Sequence, residues 1–269
     1  MLKIQVVSDL HVEFRERRAQ FTNILKPSAD ILALLGDTCC LADDEDFKVF
    51  EAFIRYLLPL FKKIIYIPGN HEYYYNSKAP PGPNNTYAAV NRKMKKLSKI
   101  SDKLYFLNNS TLELNVGRKK YTIIGSVLWS WIPATERKSI TKCMSCFDNI
   151  YVKDKKTKAL RNITPEETSK LYLKNIAFIS RAISEAKKNK SRAVVFTHHK
   201  PYLSVKKTQY TSAYESDATK LFKKPVIIWC YGHTHVADDS IQKKIRLYSN
   251  PKGYPHQRTR FKPTGIIAV

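Results

Sequence analysis

The sequence predicts a layered α/β sandwich, and three observations carry that prediction. Short apolar segments recur along the chain, each followed by turn residues. Helical periodicity fills the intervals in the first half, and short strand-like segments dominate the second. Histidines and acids gather just after the apolar segments, where open α/β sheets bind ligands. A chain of 269 residues, 43% hydrophobic and 12% aromatic, can bury a full core without disulfide or metal staples. That composition excludes disordered and fibrous classes, and residues 1–269 read as a single domain.

Residues 2–7, 31–35 and 64–67 read as buried strands. Between the last two, residues 46–60 place Phe47, Phe50, Phe53, Ile54, Leu57 and Leu58 at helical spacing. The acidic run Asp43 to Asp46 stands where carboxylates complement the helix dipole, so it reads as a helix start, not as a metal site. Strand–helix–strand order implies parallel pairing with a right-handed crossover. Pro80, Pro81, Gly82 and Pro83 mark a loop, and residues 86–100 read as helical. Short strands follow at 104–107, 111–114 and 121–125. Residues 130–164 read as an irregular, polar surface excursion. Pro165, with Glu166 and Glu167 behind it, opens a long helix to about residue 189. Strands at 193–196, 226–230, 245–248 and 265–268 complete the chain.

No apolar run approaches the roughly 18–20 residues of a membrane helix, and a strand begins directly after Met1 in place of a leader. The expectation is a soluble, cytoplasmic protein without membrane contact. Five cysteines, an odd number, suit reduced thiols. Cys143-x-x-Cys146 lacks the second pair a structural zinc site needs. The net charge is +24, but residues 1–76 carry 9 Lys+Arg against 11 Asp+Glu, while residues 77–269 carry 38 against 12. That excess is either a footprint for nucleic acid or another polyanion, or the codon usage of an AT-rich genome, since Lys outnumbers Arg 34 to 13. The sequence holds no signature of oligomeric state.

Six of the seven histidines lie in four clusters, each after a predicted strand. They read Asp9-Leu10-His11, Gly69-Asn70-His71-Glu72, Thr197-His198-His199 and Gly232-His233-Thr234-His235, with Gly36-Asp37 after the second strand. Mixed imidazole and carboxylate donors suit Mn, Fe, Zn, Co or Ni. In an extended segment Asp-x-His and His-x-His present alternate residues to one side, and Asp37 offers a carboxylate able to bridge two ions.

In this order the motifs resemble those of the calcineurin-like metallophosphoesterase family. Residues 125–130 and Asn250-Pro251-Lys252-Gly253-Tyr254-Pro255 resemble elements of a cytoplasmic bacterial, phage and large-virus branch of it. The resemblance implies a four-layer α-β-β-α sandwich with two divalent ions, Mn foremost, at the strand ends. It implies that Asp9, His11, Asp37 and His235 hold one ion, and that Asp37, Asn70, His198 and His233 hold the other. His71 would be the catalytic histidine, with Glu72 a candidate to orient it, and His199 a packing residue. The implied reaction is hydrolysis of phosphomono- or phosphodiesters by a metal-bridging hydroxide. The phosphoprotein phosphatases' Asp-Arg-Gly is absent after Asp37, and so is the cysteine that lariat-debranching relatives carry where Asp9 stands. Tyr73, Tyr74 and Tyr75 read either as a stacking platform for a base or sugar or as core edge. Other readings are a nuclease or nucleic-acid-binding protein on the same fold, and a non-catalytic scaffold such as the retromer subunit. The intact His71 counts against the scaffold.

Overall fold

The computed structural model describes residues 1–14 and 20–269. The first half follows the expected order: β1 (Lys3–Val7), β2 (Ile31–Leu35), α1 (Asp44–Leu57), β3 (Lys63–Ile67), α2 (Tyr87–Leu97) and β4 (Leu104–Phe106). Asp43 caps α1, its carboxylate accepting the Glu45 N–H at 2.9 Å, so the acidic run starts a helix. β5 (Ser110–Val116) and β6 (Lys119–Ser126) form an antiparallel pair. Then come α3 (Arg137–Cys143), α4 (Cys146–Asn149) and the small hairpin β7 (Tyr151–Lys153) and β8 (Leu160–Asn162). The long α5 (Pro165–Lys188) starts at a capping box between Thr164 and Glu167. β9 (Arg192–Thr197), α6 (Thr211–Tyr214), β10 (Val226–Tyr231), β11 (Asp238–Gln242), β12 (Ile245–Ser249) and β13 (Ile266–Ala268) follow.

These strands build two sheets, ordered β13-β1-β2-β3-β4 and β11-β12-β10-β9-β6-β5. β1 to β4 run parallel, as do β12, β10, β9 and β6, while β13, β11 and β5 are antiparallel edges. The inner faces pack Ile4, Val6, Ala33 and Ile65 against Ile123, Val194, Phe196 and Ile228. Phe50, Phe53, Ile54 and Leu57 of α1 cover the outer face of the first sheet, and Val90 and Met94 of α2 join them. Ile179, Ala182, Ile183 and Ala186 of α5 cover the outer face of the second. Four α-β-β-α layers result, and each buried Phe, Ile or Leu contributes about 1.5–3 kcal/mol. Because both faces of each sheet are covered, the central strands read as continuous apolar runs.

Two expectations need correction. Residues 130–164 are not an irregular excursion. They hold α3, α4 and the β7–β8 hairpin, and Ile140, Phe147 and Ile150 are buried in the core. These elements are three to seven residues long, too short to show a period. β11 was not expected, because its sequence, Asp-Asp-Ser-Ile-Gln, is that of a solvated edge strand. Among the described residues no helix is long and apolar enough to cross a membrane.

Candidate active site

Parallel pairing brings the C-terminal ends of β1, β2 and β3 side by side, and loop hydrogen bonds continue the alignment past the strands. Asp9 N–H donates to the Gly36 carbonyl at 2.9 Å, His11 N–H to Asp37 at 3.0 Å and Gly232 N–H to His198 at 2.9 Å. Gly36 is required where it stands. Its φ is +84°, and a Cβ there would lie 2.5 Å from His198 Nδ1. The chain then turns its functional residues inward at a conformational cost. Asp9, His11, Asp37, His233 and His235 all have φ between 46° and 68°, a left-handed region that non-glycine residues avoid.

The predicted residues converge in two groups. Donor atoms of Asp9, His11 and His235 lie within 4.8 Å of one another, and so do those of Asp37, His198 and His233. Asp37 also groups with His11 and His71, which places it between the two. Asp37 Oδ1 accepts the His71 backbone N–H at 2.8 Å, and Oδ2 lies 3.2 Å from His198 Nε2. His198 Nδ1 donates to the Leu35 carbonyl at 2.8 Å, so the lone pair of its neutral ring sits on Nε2. Asn70 donates its amide to Tyr74 Oη at 2.9 Å, which turns Oδ1 to within 3.1 Å of the same Nε2. One imidazole nitrogen and two oxygens thus aim electron pairs at one point. His233 Nε2 is buried with no hydrogen-bond partner among the described residues. Such convergence fits a divalent cation; without one it is an electrostatic conflict that a proton on His198 Nε2 relieves.

Titration behaviour reflects the conflict. Burial lowers His233 well below the usual imidazole range, His199 to about 3 and His71 to about 4. At His198 burial acts the same way, but the Asp37 carboxylate overrides it and raises the ring to about 9. Asp37, pushed up by its own burial, is held well below the usual carboxylate range by His198 and His71.

His71 lies in the wall of a 290 Å³ cavity shared with Asn70, Tyr74, Met144, Tyr214 and Tyr254. Its ring stacks on Tyr74 at 4.2 Å, and Nε2 lies 3.1 Å from Tyr254 Oη. His199 packs between Trp129 and His233 and joins none of the donor groups, in keeping with a packing role. The tyrosine run is core edge. Tyr73 and Tyr74 are buried, and the Tyr74 ring already stacks on His71. Cys143 is exposed, whereas Cys146 is buried within 3.0 Å of Tyr74 Oη, so the Cys-x-x-Cys spacing does not act as a unit.

The profile of the calcineurin-like phosphoesterase family matches residues 2–237. The chain belongs to that family. It is 29% identical over 286 residues to an uncharacterized protein of Acanthamoeba polyphaga mimivirus, covering 99% of this chain and 96% of the relative. Its fold is that of the phosphopantetheinyl hydrolase of Mycobacterium tuberculosis, with a TM-score of 0.65, 17% identity, and 94% and 90% of the two chains covered. A Staphylococcus aureus protein assigned as a 5′-nucleotidase aligns with a TM-score of 0.51 and 14% identity, over 92% of this chain and 48% of that one.

Within this phosphoesterase, Glu72 does not orient His71. Its carboxylate turns away and accepts the backbone N–H groups of Asp37 at 2.9 Å, Thr38 at 2.8 Å and Gly69 at 2.6 Å. Glu72 therefore ties the loop after β2 to the loop after β3. Burial and the nearby Asp37 carboxylate raise it to about 7, opposed by His198 and by the Thr38 and Gly69 N–H donors. Glu72→Ala leaves three buried donors unsatisfied at about 1–3 kcal/mol each, so a melting temperature lower by roughly 10 °C is expected. A calorimetric shift under about 3 °C would show the tie to be dispensable.

Sequence reasoning missed three further contributors. Glu13 Oε1 accepts from His11 Nδ1 at 2.9 Å, which leaves His11 Nε2 facing the site. Gln257 Oε1 does the same for His235 Nδ1. Tyr254 stands over His11 and His235 at ring separations of 4.6 and 4.8 Å. Glu13 had a local signal, two residues after His11, and Tyr254 lay in the Asn250–Pro255 segment noted in the sequence without a role.

Proposed function

We propose that the chain hydrolyses phosphomono- or phosphodiesters with a pair of divalent ions. Asp9, His11, Asp37 and His235 would hold one ion. Asp37, Asn70, His198 and His233 would hold the other, and Asp37 would bridge them. The observation that carries this reading is the convergence of His198 Nε2, Asn70 Oδ1 and Asp37 Oδ2 beside the unpartnered His233 Nε2. When bound, such ions lower the pKa of water and neutralise charge on phosphoryl oxygens.

The protein's own groups do the rest. The carbonyl of Leu35, the carboxylate of Glu13 and the amide of Gln257 fix the rings of His198, His11 and His235, so no reorientation is needed when a ligand arrives. His71 presents its ring edge to the cavity, where it would protonate the departing oxygen or steady it by a hydrogen bond. Tyr74 covers one face of that ring and keeps water off it. Met144 and Ser145, between α3 and α4, form part of the cavity wall.

A metal-reconstituted screen tests the reading, using aryl phosphate mono- and diesters, nucleotides, oligonucleotides and a phosphopantetheinyl ester. Turnover dependent on Mn, with diesters at least as good as monoesters, is expected. No turnover with Mn, Co, Ni, Zn or Fe would refute it. The excess of 38 Lys+Arg over 12 Asp+Glu beyond residue 76 favours polyanionic esters as a second reading, which the oligonucleotides address.

A further inference from the structure

We propose that Tyr254 and Cys40 are positioning residues that hold His71 in the tautomer with its proton on Nε2, facing the cavity. This rests on the catalytic role of His71 proposed above. The ring has a polar partner at each nitrogen. Cys40 Sγ lies 4.0 Å from Nδ1, within the reach of a sulfur hydrogen bond. Asn76 donates its own amide to one lone pair of that sulfur at 3.2 Å, which in the proposed arrangement leaves the S–H free to point at Nδ1. A nitrogen that accepts from S–H carries no proton, which puts the imidazole proton on Nε2. There Tyr254 Oη, at 3.1 Å, accepts it. Glu13 Oε1 is 3.9 Å from Nδ1, beyond hydrogen-bond distance, and already accepts from His11.

Tyr254 is itself firmly placed. Lys252 and Gly253 N–H groups donate to the carbonyls of Ser8 and Asp9, both at 3.0 Å. The Tyr254 N–H donates at 2.8 Å to Gln257 Oε1, the same oxygen that faces His235. Gly253 has φ +70°, and a Cβ there would come within 2.6 Å of Thr259 Cγ2, so the turn that presents Tyr254 requires glycine. Tyr254 lies beyond the 2–237 family match, in the Asn-Pro-Lys-Gly-Tyr-Pro segment to which the two-ion chemistry gives no role.

The test uses the metal-reconstituted full chain and the phenyl and p-nitrophenyl esters of the same phosphate. Tyr254→Phe removes the hydroxyl and keeps the ring. The poor phenyl leaving group should lose about tenfold in kcat and the p-nitrophenyl ester less than about threefold, with KM within about twofold. In a His71→Ala background the same substitution should cost nothing further. Nitrogen-15 spectra of the metal-free protein should show His71 protonated at Nε2, and mixed tautomers in Tyr254→Phe and Cys40→Ala. Wild-type kcat on the phenyl ester in Tyr254→Phe, an undiminished loss in the His71→Ala background, or tautomer signals unchanged in both variants would overturn the proposal. Should His71→Ala alone turn over at the wild-type rate, the role of His71 falls and this proposal with it. Should His71→Ala be slow while Tyr254→Phe is not, only the positioning role falls.

Discussion

Replacing Asp37 with alanine is expected to strip the protein of both divalent ions and to lower turnover by at least about 10³-fold. Among the described residues, Asp37 groups with His11 and His71 on one side and with His198 and His233 on the other. Its two oxygens are engaged differently, Oδ1 with the His71 backbone and Oδ2 toward His198. Removing the carboxylate would take a negative donor from both proposed ion sites at once, leaving Asn70, His198 and His233 as the proposed donors on one side. It also orphans the His71 N–H, so a modest loss of stability should accompany the loss of metal. Elemental analysis of the desalted variant, beside a melting curve showing it folded, decides the matter. Two ions per folded chain would contradict a bridging Asp37. His235→Ala is the contrast, because its ring belongs to one group only, and one ion should remain.

His71→Ala should do the opposite, keeping its ions while kcat falls about 10²–10⁴-fold and KM moves little. The physical reason lies in the backbone. The hydrogen bond from residue 71 to Asp37 Oδ1 comes from the peptide N–H, which alanine retains, so the Asp37 carboxylate should stay oriented. What the variant loses is the imidazole in the cavity wall, its stacking on Tyr74 and its Nε2 near Tyr254. The loss should be steepest for poor leaving groups, which depend most on a proton donor. Steady-state kinetics on the variant, with metal content measured on the same sample, reads both halves of the prediction. Wild-type kcat would show that another group protonates the leaving oxygen.

The chain by itself determined the elements that a local pattern can specify. Ile31–Leu35 and residues 64–67 were legible because strands covered on both faces read as continuous apolar runs. α1 was legible because a half-buried helix repeats its apolar residues every three or four positions, and α5 because Pro165, Glu166 and Glu167 announce its start. The candidate donors were legible for a chemical reason. Asp or Asn after one strand is an ordinary turn residue, but acids and histidines recur after several strands, and strand direction assigns them to one edge of the sheet.

Tertiary structure alone decided what those residues do to one another. Glu72 sits beside His71 in sequence, yet its three partners lie on loops after two different strands, so adjacency misled. His11 meets His235 across 224 positions and Tyr254 meets His71 across 183, and no periodic signal spans such distances. The wall formed by Met144 and Ser145 comes from helices too short to show a repeat. The positive φ angles at Asp9, His11, Asp37, His233 and His235 are likewise invisible in residue type, since these residues prefer other conformations when unconstrained. Hydrogen bonds between loops that follow different strands hold this backbone, as where the His11 N–H donates to the Asp37 carbonyl and the His233 N–H to the Asp9 carboxylate. Residue identity supplied the candidate donors, and the meeting of those loops brought them together.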